Sequence, residues 1–297
     1  MRAAERGFLL LSSNLGNPDR RPLTTAQLRV LADRAWKMEL PDSERDLEVR
    51  DFLALGYNRD MATRIVALLS EEELLERYLR TAKRHGCLPL TRVSEGYPLI
   101  VRKRLGLDSP GVLWAKGDLS LLDEPKIALV GSRELQNMNW EFAREVGKQA
   151  ALQGYTLVSG NARGADRTAQ EACLAAGGNV VVVVADELAK QPAQERVLYL
   201  SEEDYDLAFT AQRAISRNRV IHSLGKVTFV AQSSYQTGGT WDGTVKNLRF
   251  GWSPVLCYQD GNPATEQLKQ MGAETVDIAQ LKDINTLLTQ QQNLFDQ

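Results

Sequence analysis

Apolar residues recur at helical spacing through the first part of the chain, then give way to short apolar runs that alternate with helical stretches. Leu28, Leu31, Ala32 and Ala35 follow Thr24 and Thr25, either of which can cap the segment. A second short pattern surrounds Phe52, Leu53 and Leu55 and stops at Gly56. A third starts from Asn58 and carries Met61, Ile65, Val66 and Leu69. Ser70 with Glu73 reads as a capping box, in which each side chain serves a backbone N–H at the other end of the turn. The helix behind it buries Leu74, Leu75, Tyr78 and Ala82 and stops at Gly86. Four short helices with tight turns predict a helical N-terminal domain over residues 1–95. Its Leu55-Gly56-Tyr57 stretch before a helix fits a helix-hairpin nucleic-acid module, but such a bundle is more often a packing or protein-contact domain.

A connector runs from Gly96-Tyr97-Pro98 to Asp118, with a strand over 112–116 and a basic triplet, Arg102-Lys103-Arg104, that read alone is a solvated face. From Lys126 the alternation is regular. Strands are predicted over 127–130, 155–158, 179–184, 226–231, 254–257 and near Glu274, with helices between them. The first of these helices holds Trp140, Phe142, Ala143, Val146 and Ala150 inside, and another spans 208–224. The near-pure valine run belongs in a sheet covered on both faces. The pattern predicts an α/β fold: a Rossmann-like, doubly wound, mostly parallel sheet over residues 96–282, preceded by the helical domain and followed by a tail over 283–297.

Composition narrows the function classes. With 297 residues, 43% hydrophobic and 25% charged, the chain is neither disordered throughout nor a disulfide scaffold. A net charge of -2 gives no global field toward nucleic acid, so a polyanion would need a local basic patch. The apolar run 180–185 is far below the roughly 20 residues of a membrane span. Phe8-Leu9-Leu10-Leu11 is shorter than a signal-peptide core of about 7 apolar residues. No membrane association is expected. Cys87, Cys173 and Cys257 are odd in number and scattered, which suits a reducing cytoplasm. His85 and His222 alone make a histidine metal centre or acid–base centre unexpected, and no cofactor is implied.

In an open parallel sheet, ligands bind at the carboxyl ends of the strands. Three loops placed there carry small and cationic residues: Gly131-Ser132-Arg133, the stretch Ser159 to Asp166, and Thr237-Gly238-Gly239-Thr240. Glycines let backbone N–H groups approach an anion, the next helix adds its positive end, and Arg133 and Arg163 add forked donors. The second loop matches neither the dinucleotide fingerprint nor the Walker A spacing. Asp166 fits either a helix cap or a ligand contact, and Arg217 and Arg219 fit surface charges when read in isolation.

In this order and spacing, Gly131-Ser132-Arg133, Ser159-Gly160-x-Ala162-Arg163-Gly164-x-Asp166 and Arg217-Asn218-Arg219 resemble the DprA/Smf family of DNA-processing proteins. Gly96-Tyr97-Pro98 and Leu113-Trp114-Ala115-Lys116-Gly117-Asp118 are similar too. The resemblance covers roughly residues 45–280. It implies a non-catalytic protein that binds single-stranded DNA, forms a homodimer and helps load a RecA-type recombinase during transformation. Carried onto this chain, it implies that Arg133, Ser159, Gly160, Arg163 and Gly164 line a phosphate pocket. Arg217 and Arg219 would neutralise neighbouring phosphates on the same rim, and Asn218 would hold a base or the loop.

The chain departs from the family pattern at Asn161, Ala165, Gln170, Ala185-Asp186-Glu187 and the loop 235–240. Too few residues follow Ala273 for the winged helix of many members. The alternative is a nucleotide sensor or nucleotide-processing enzyme of the same superfamily, although no glutamate follows Thr240 as a phosphoribohydrolase would need. Finally, Gln291-Gln292-Asn293-Leu294-Phe295 resembles the peptide by which bacterial proteins dock on the sliding clamp, with Gln291, Leu294 and Phe295 as its contacts.

Overall fold

The computed structural model describes residues 1–37 and 46–295, without the side chains of 36–37 and 290–295. Five helices come first, one more than the pattern predicts: α1 (Ala3–Ser12), whose Leu9, Leu10 and Leu11 are buried, then α2 (Thr25–Lys37), α3 (Val49–Ala54), α4 (Arg59–Leu69) and α5 (Glu72–Arg84). Thr24 starts α2, exchanging hydrogen bonds with Gln27, and the Asn58 side chain accepts from the Met61 N–H at 2.9 Å to start α4. The expected Ser70–Glu73 box is not made. Ser70 is the C-cap of α4 and donates back to the Ala67 carbonyl, so α5 begins behind Glu71 without a side-chain cap.

A small core of Leu11, Leu23, Phe52, Ile65 and neighbours closes α3 and α4. The inner faces of α1 and α5 join the main core instead, where Tyr78 packs against Trp114 and Tyr205 at centroid distances of 5.7 and 4.6 Å.

The connector holds β1 (Leu88–Thr91), α6 (Leu99–Leu105) and β2 (Val112–Gly117). Then follow β3 (Lys126–Val130), α7 (Asn137–Leu152), β4 (Thr156–Ser159), α8 (Ala165–Ala175), β5 (Val180–Val183) and β6 (Val197–Ser201). The second half holds α9 (Ala211–Ser216), α10 (Asn218–Leu224), β7 (Thr228–Val230) and α11 (Gly238–Phe250). It ends with β8 (Val255–Tyr258), α12 (Pro263–Gln270), β9 (Glu274–Val276) and α13 (Ile284–Phe295).

All nine strands form one sheet in the order β1-β2-β6-β5-β4-β3-β7-β8-β9. The run from β6 to β9 is parallel, while β2 and β1 add antiparallel at one end. The predicted Rossmann-like, mostly parallel architecture is therefore the observed one. Two strands had no counterpart in the sequence reading, β1 and β6. The sheet takes β1 from residues ahead of position 96 because Leu90 and Thr91 pair with Leu113 and Val112 and are buried there.

Three local expectations differ. The helix expected over 208–224 is two, α9 and α10, meeting at Arg217. Trp140 is 44% exposed on the outer face of α7, whereas Phe142, Ala143, Val146 and Ala150 are fully buried. At the C-terminal end, α13 buries Ile284 and Leu287 in the main core. Gln291, Leu294 and Phe295 fall in the last turns of α13, and their side chains lie outside the described residues. The three cysteines are buried and unpaired, and burial pushes the Cys87 thiol up to about 11 and those of Cys173 and Cys257 up to about 12.

Candidate functional site

The strand order fixes where a ligand can enter. From β3 the chain winds outward through β4, β5 and β6, then returns to lay β7 on the other side of β3. Loops leaving β3 and β7 therefore diverge and open a crevice between them, the usual ligand position in such sheets.

Two backbone bonds tie the crevice together. The Ser132 N–H donates to the Gln232 carbonyl at 2.9 Å, and the Ala165 N–H donates to the Ser132 carbonyl at 3.1 Å. Close approach depends on glycine. A Cβ on Gly131 would collide with that of Ala165, and one on Gly164, at φ +82°, would collide with the carbonyls of Ser132 and Arg133. The result is a cavity of about 400 Å³ lined by Gly131, Ser132, Arg133, Asp166, Arg217, Asn218 and the Thr237-Gly238-Gly239-Thr240 loop. The 13-residue α11 starts on this loop with no side chain capping its first turn, so its free N–H groups and positive end face the cavity.

Arg217 forms the floor. Its side chain is 8% exposed and faces Asp166, 7% exposed, at 3.8 Å, an ion pair too long to be a hydrogen bond. Burial pushes the Asp166 carboxyl up and the Arg217 guanidinium down, and the attraction between them opposes both shifts. Asp166 Oδ2 also accepts from the Ala162 N–H at 3.2 Å, so the carboxylate ties the loop rather than capping its own helix. Arg217 Nε and Nη1 are buried without any hydrogen-bond partner. Unused buried donors of a charged group are costly, and two on one guanidinium call for an acceptor. Gly160 makes room for this guanidinium, since a Cβ there would overlap it.

The remaining expected residues divide into three sets. Ser159 is fully buried and, with the Gly160 carbonyl, accepts from Gln170, so these residues shape the loop from behind. Asn218 is buried and donates to the Gly239 carbonyl at 2.9 Å, which ties it to the 237–240 loop. Arg133 and Arg163 stand on the rim, where Arg163 makes an exposed pair with Glu134 at 3.2 Å.

Arg219 is the correction. It points away from the cavity, pairs with Glu202 at 3.0 Å and donates to the Asp108 carbonyl at 2.7 Å. The four arginines thus do not share one rim: two stand on it, one lies in the floor and one is on the far side.

A second cavity of about 300 Å³ continues from the first, sharing Arg133, Ala162, Ala214 and Arg217 and adding Arg163, Asp186 and Phe209. Sequence reasoning passed over Ala214, Ile215 and Phe209, whose apolar or small side chains carry no chemical signal by themselves. Phe209 is nonetheless 53% exposed beside a cationic rim, a suitable surface for a flat ring. Among the described residues, no grouping of His, Cys, Asp and Glu is placed to hold a metal ion, and no helix is long and apolar enough to cross a membrane. What this arrangement can do is bind phosphate groups and order the atoms next to them.

Comparison with known proteins adds to this geometry. The family model described as DNA recombination-mediator protein A matches residues 89–288. The DNA processing protein DprA of Bacillus subtilis is 28% identical over 176 residues, covering 55% of this chain and 58% of that protein. The DprA of Streptococcus pneumoniae is 32% identical over 141 residues, covering 44% and 50%. Protein Smf of Escherichia coli is 29% identical over 142 residues, covering 44% and 38%. The chain spans about half the length of the curated relatives it matches.

Among solved structures, the X-ray structure of DprA from Streptococcus pneumoniae superposes with a TM-score of 0.70 at 22% identity, covering 93% of this chain and 95% of that one. The DNA processing protein A of Helicobacter pylori, described for its single-stranded DNA binding mode, gives 0.56 at 23% identity, covering 69% and 96%. At these identities the likeness is one of fold.

Proposed function

This chain belongs to the DNA recombination-mediator protein A family, and from that premise we propose that it binds single-stranded DNA through the β3–β7 cleft without catalysing a reaction, in the service of DNA processing and recombination. The observation that carries the reading is the Arg217 guanidinium, buried in the cavity floor with two nitrogens unpartnered. A backbone phosphate supplies the acceptors they lack, the start of α11 contributes N–H groups, and Arg133 and Arg163 hold the next phosphates from the rim. Contacts of this kind are made to the backbone, so binding is largely independent of base sequence.

A mononucleotide-sized cavity of about 400 Å³ also favours a second reading, a nucleotide sensor. The adjoining cavity, reached past Arg133 and Arg217, favours a polymer over a single nucleotide. Delivery of the bound strand to a RecA-type recombinase, pairing of the chain with itself as a homodimer, work in the cytoplasm, and clamp docking through Gln291, Leu294 and Phe295 complete the proposed role.

The test is titration of labelled oligonucleotides at two or more salt concentrations. Arg217→Lys keeps the charge but removes the fork; it should weaken binding about tenfold, or about 1.4 kcal/mol. Arg133→Ala should lower the salt slope by about 0.7. Native affinity that does not fall with salt, or free nucleotide that competes at equal concentration with oligonucleotide, would replace the DNA reading by the sensor.

A further inference from the structure

One large cavity takes no part in the cleft. It measures about 780 Å³ and lies along the seam between the N-terminal helices and the sheet, on the other side of segment 207–216. That segment is a shared wall: Phe209 and Ala214 line the cleft, whereas Leu207 and Ser216 line the seam.

Four arginines line the seam; Arg219 on α10 is held by Glu202, and the other three come from three different elements: Arg29 on α2, Arg92 just after β1 and Arg102 on α6. Arg92 is half-buried, and its guanidinium is pushed below its ordinary range by burial first and then by the charges of Arg102 and Arg29. Like charges gathered this way repel unless an anion sits among them. The bonds of Arg92 and Arg102, both to carbonyls, do not neutralise them. Arg102 donates to the Arg92 carbonyl at 3.3 Å and Arg92 to the Gly106 carbonyl at 3.0 Å, while Arg29 alone has a carboxylate, the exposed Asp108.

Carboxylates also line this cavity, but each is engaged. Arg219 holds Glu202 at 3.0 Å, Arg213 holds Glu203 at 3.0 Å, and Asp204 accepts from the Asn14 N–H at 2.9 Å. Between the cations and this acidic floor, Leu28 and Leu107 offer apolar surface, and Leu107 is 55% exposed.

We propose that the seam is a second nucleic-acid contact, in which Arg29, Arg92 and Arg102 bind phosphates of the same single strand after it leaves the cleft across segment 207–216. This deepens the proposed function and rests on it. The basic triplet on α6 then divides by role: Arg102 meets the strand, whereas Arg104 is turned inward, where it donates to the Ser223 carbonyl at 3.1 Å.

The test compares the full chain with Arg29→Ala/Arg102→Ala on thymidine oligonucleotides of about 6 and about 25 nucleotides, lengths that bracket a single-site footprint. Arg80→Ala/Lys103→Ala, two exposed cations outside the seam, is the charge-matched control. Thermal unfolding of each variant establishes that it is folded. The seam variant should lose about tenfold in affinity for the long oligonucleotide, with a salt slope lower by about 1.4, and nothing for the short one. An unchanged slope on the long oligonucleotide, an equal loss in the control, or an equal loss on the short one overturns the seam site and leaves the cleft reading standing. Failure of the native chain to bind either length overturns both.

Discussion

On the seam side of segment 207–216, Arg213 is a buried arginine whose Nη1 and Nη2 are hydrogen-bonded, while its Nε faces Glu203 at 3.0 Å without a hydrogen bond. It donates to the carbonyls of Ala185, Leu207 and Ala208 and to the Ser201 hydroxyl, and pairs with Glu203. On the cleft side, one helical turn further along, Arg217 is buried to the same extent and has only Asp166 at 3.8 Å. Burial alone therefore does not separate a structural cation from one that awaits a ligand. The use made of the donors does. Arg213 clasps the loop between β6 and α9, whereas Arg217, in the cavity floor, leaves Nε and Nη1 without a partner.

The largest effect that can break this contrast is on stability. Arg213→Ala should destabilise the fold by about 3–5 kcal/mol, because several carbonyls and Glu203 lose a buried partner; denaturant unfolding measures it. A loss as small as that of an exposed arginine would remove the distinction.

Next comes Asp204, buried on the same side, whose carboxyl is pushed by burial up to about 6. An unfolded aspartate titrates near 3.9, so the folded state bears the cost of an ionised group in full above about pH 6 and is free of it below about pH 4. Asp204→Asn, which keeps an acceptor for the Asn14 N–H, should gain about 2 kcal/mol at pH 8 and nothing at pH 4, read from denaturation curves at both. A gain that is the same at both pH values would show that the carboxylate charge is not its source.

The smallest effect belongs to the rim. Arg163 is 72% exposed on its side chain and paired with a still more open Glu134. Arg163→Ala should leave the melting temperature alone and cost about threefold in oligonucleotide affinity, with a slope change near 0.7. A larger loss than that of Arg217→Lys would move the main grip from floor to rim.

Much of this could be read from the sequence, and the failures have physical reasons. The valine run announced β5, and the alternation announced the parallel sheet, because both are periodic signals tied to burial. The strand β6 carries a comparable run, Val197 to Leu200, fully inside the molecule; it went unassigned although its apolar character was plain. The shared rim of arginines failed on geometry that the spacing already contained. Residues two apart on a helix point about 200° away from each other, so Arg217 and Arg219 had to face different cavities once both joined a helical turn. Ser70 misled because a hydroxyl at a helix–helix junction can serve the preceding helix as well as the next. The three glycine-bearing loops were recognisable as anion-binding material, but their convergence needed the strand order, which no local pattern encodes.

The three sequestered thiols give this molecule a set of internal clocks. Cys87 lies where α5 meets β1, Cys173 on α8 behind the cleft loop, and Cys257 on β8 at the opposite flank. Each is protonated at neutral pH and screened from reagent, so alkylation can proceed only while its own neighbourhood breathes. Timed labelling followed by peptide mass analysis would thus rank the opening rates of three separate neighbourhoods in one unmodified protein, and would reveal which of them a bound strand holds shut.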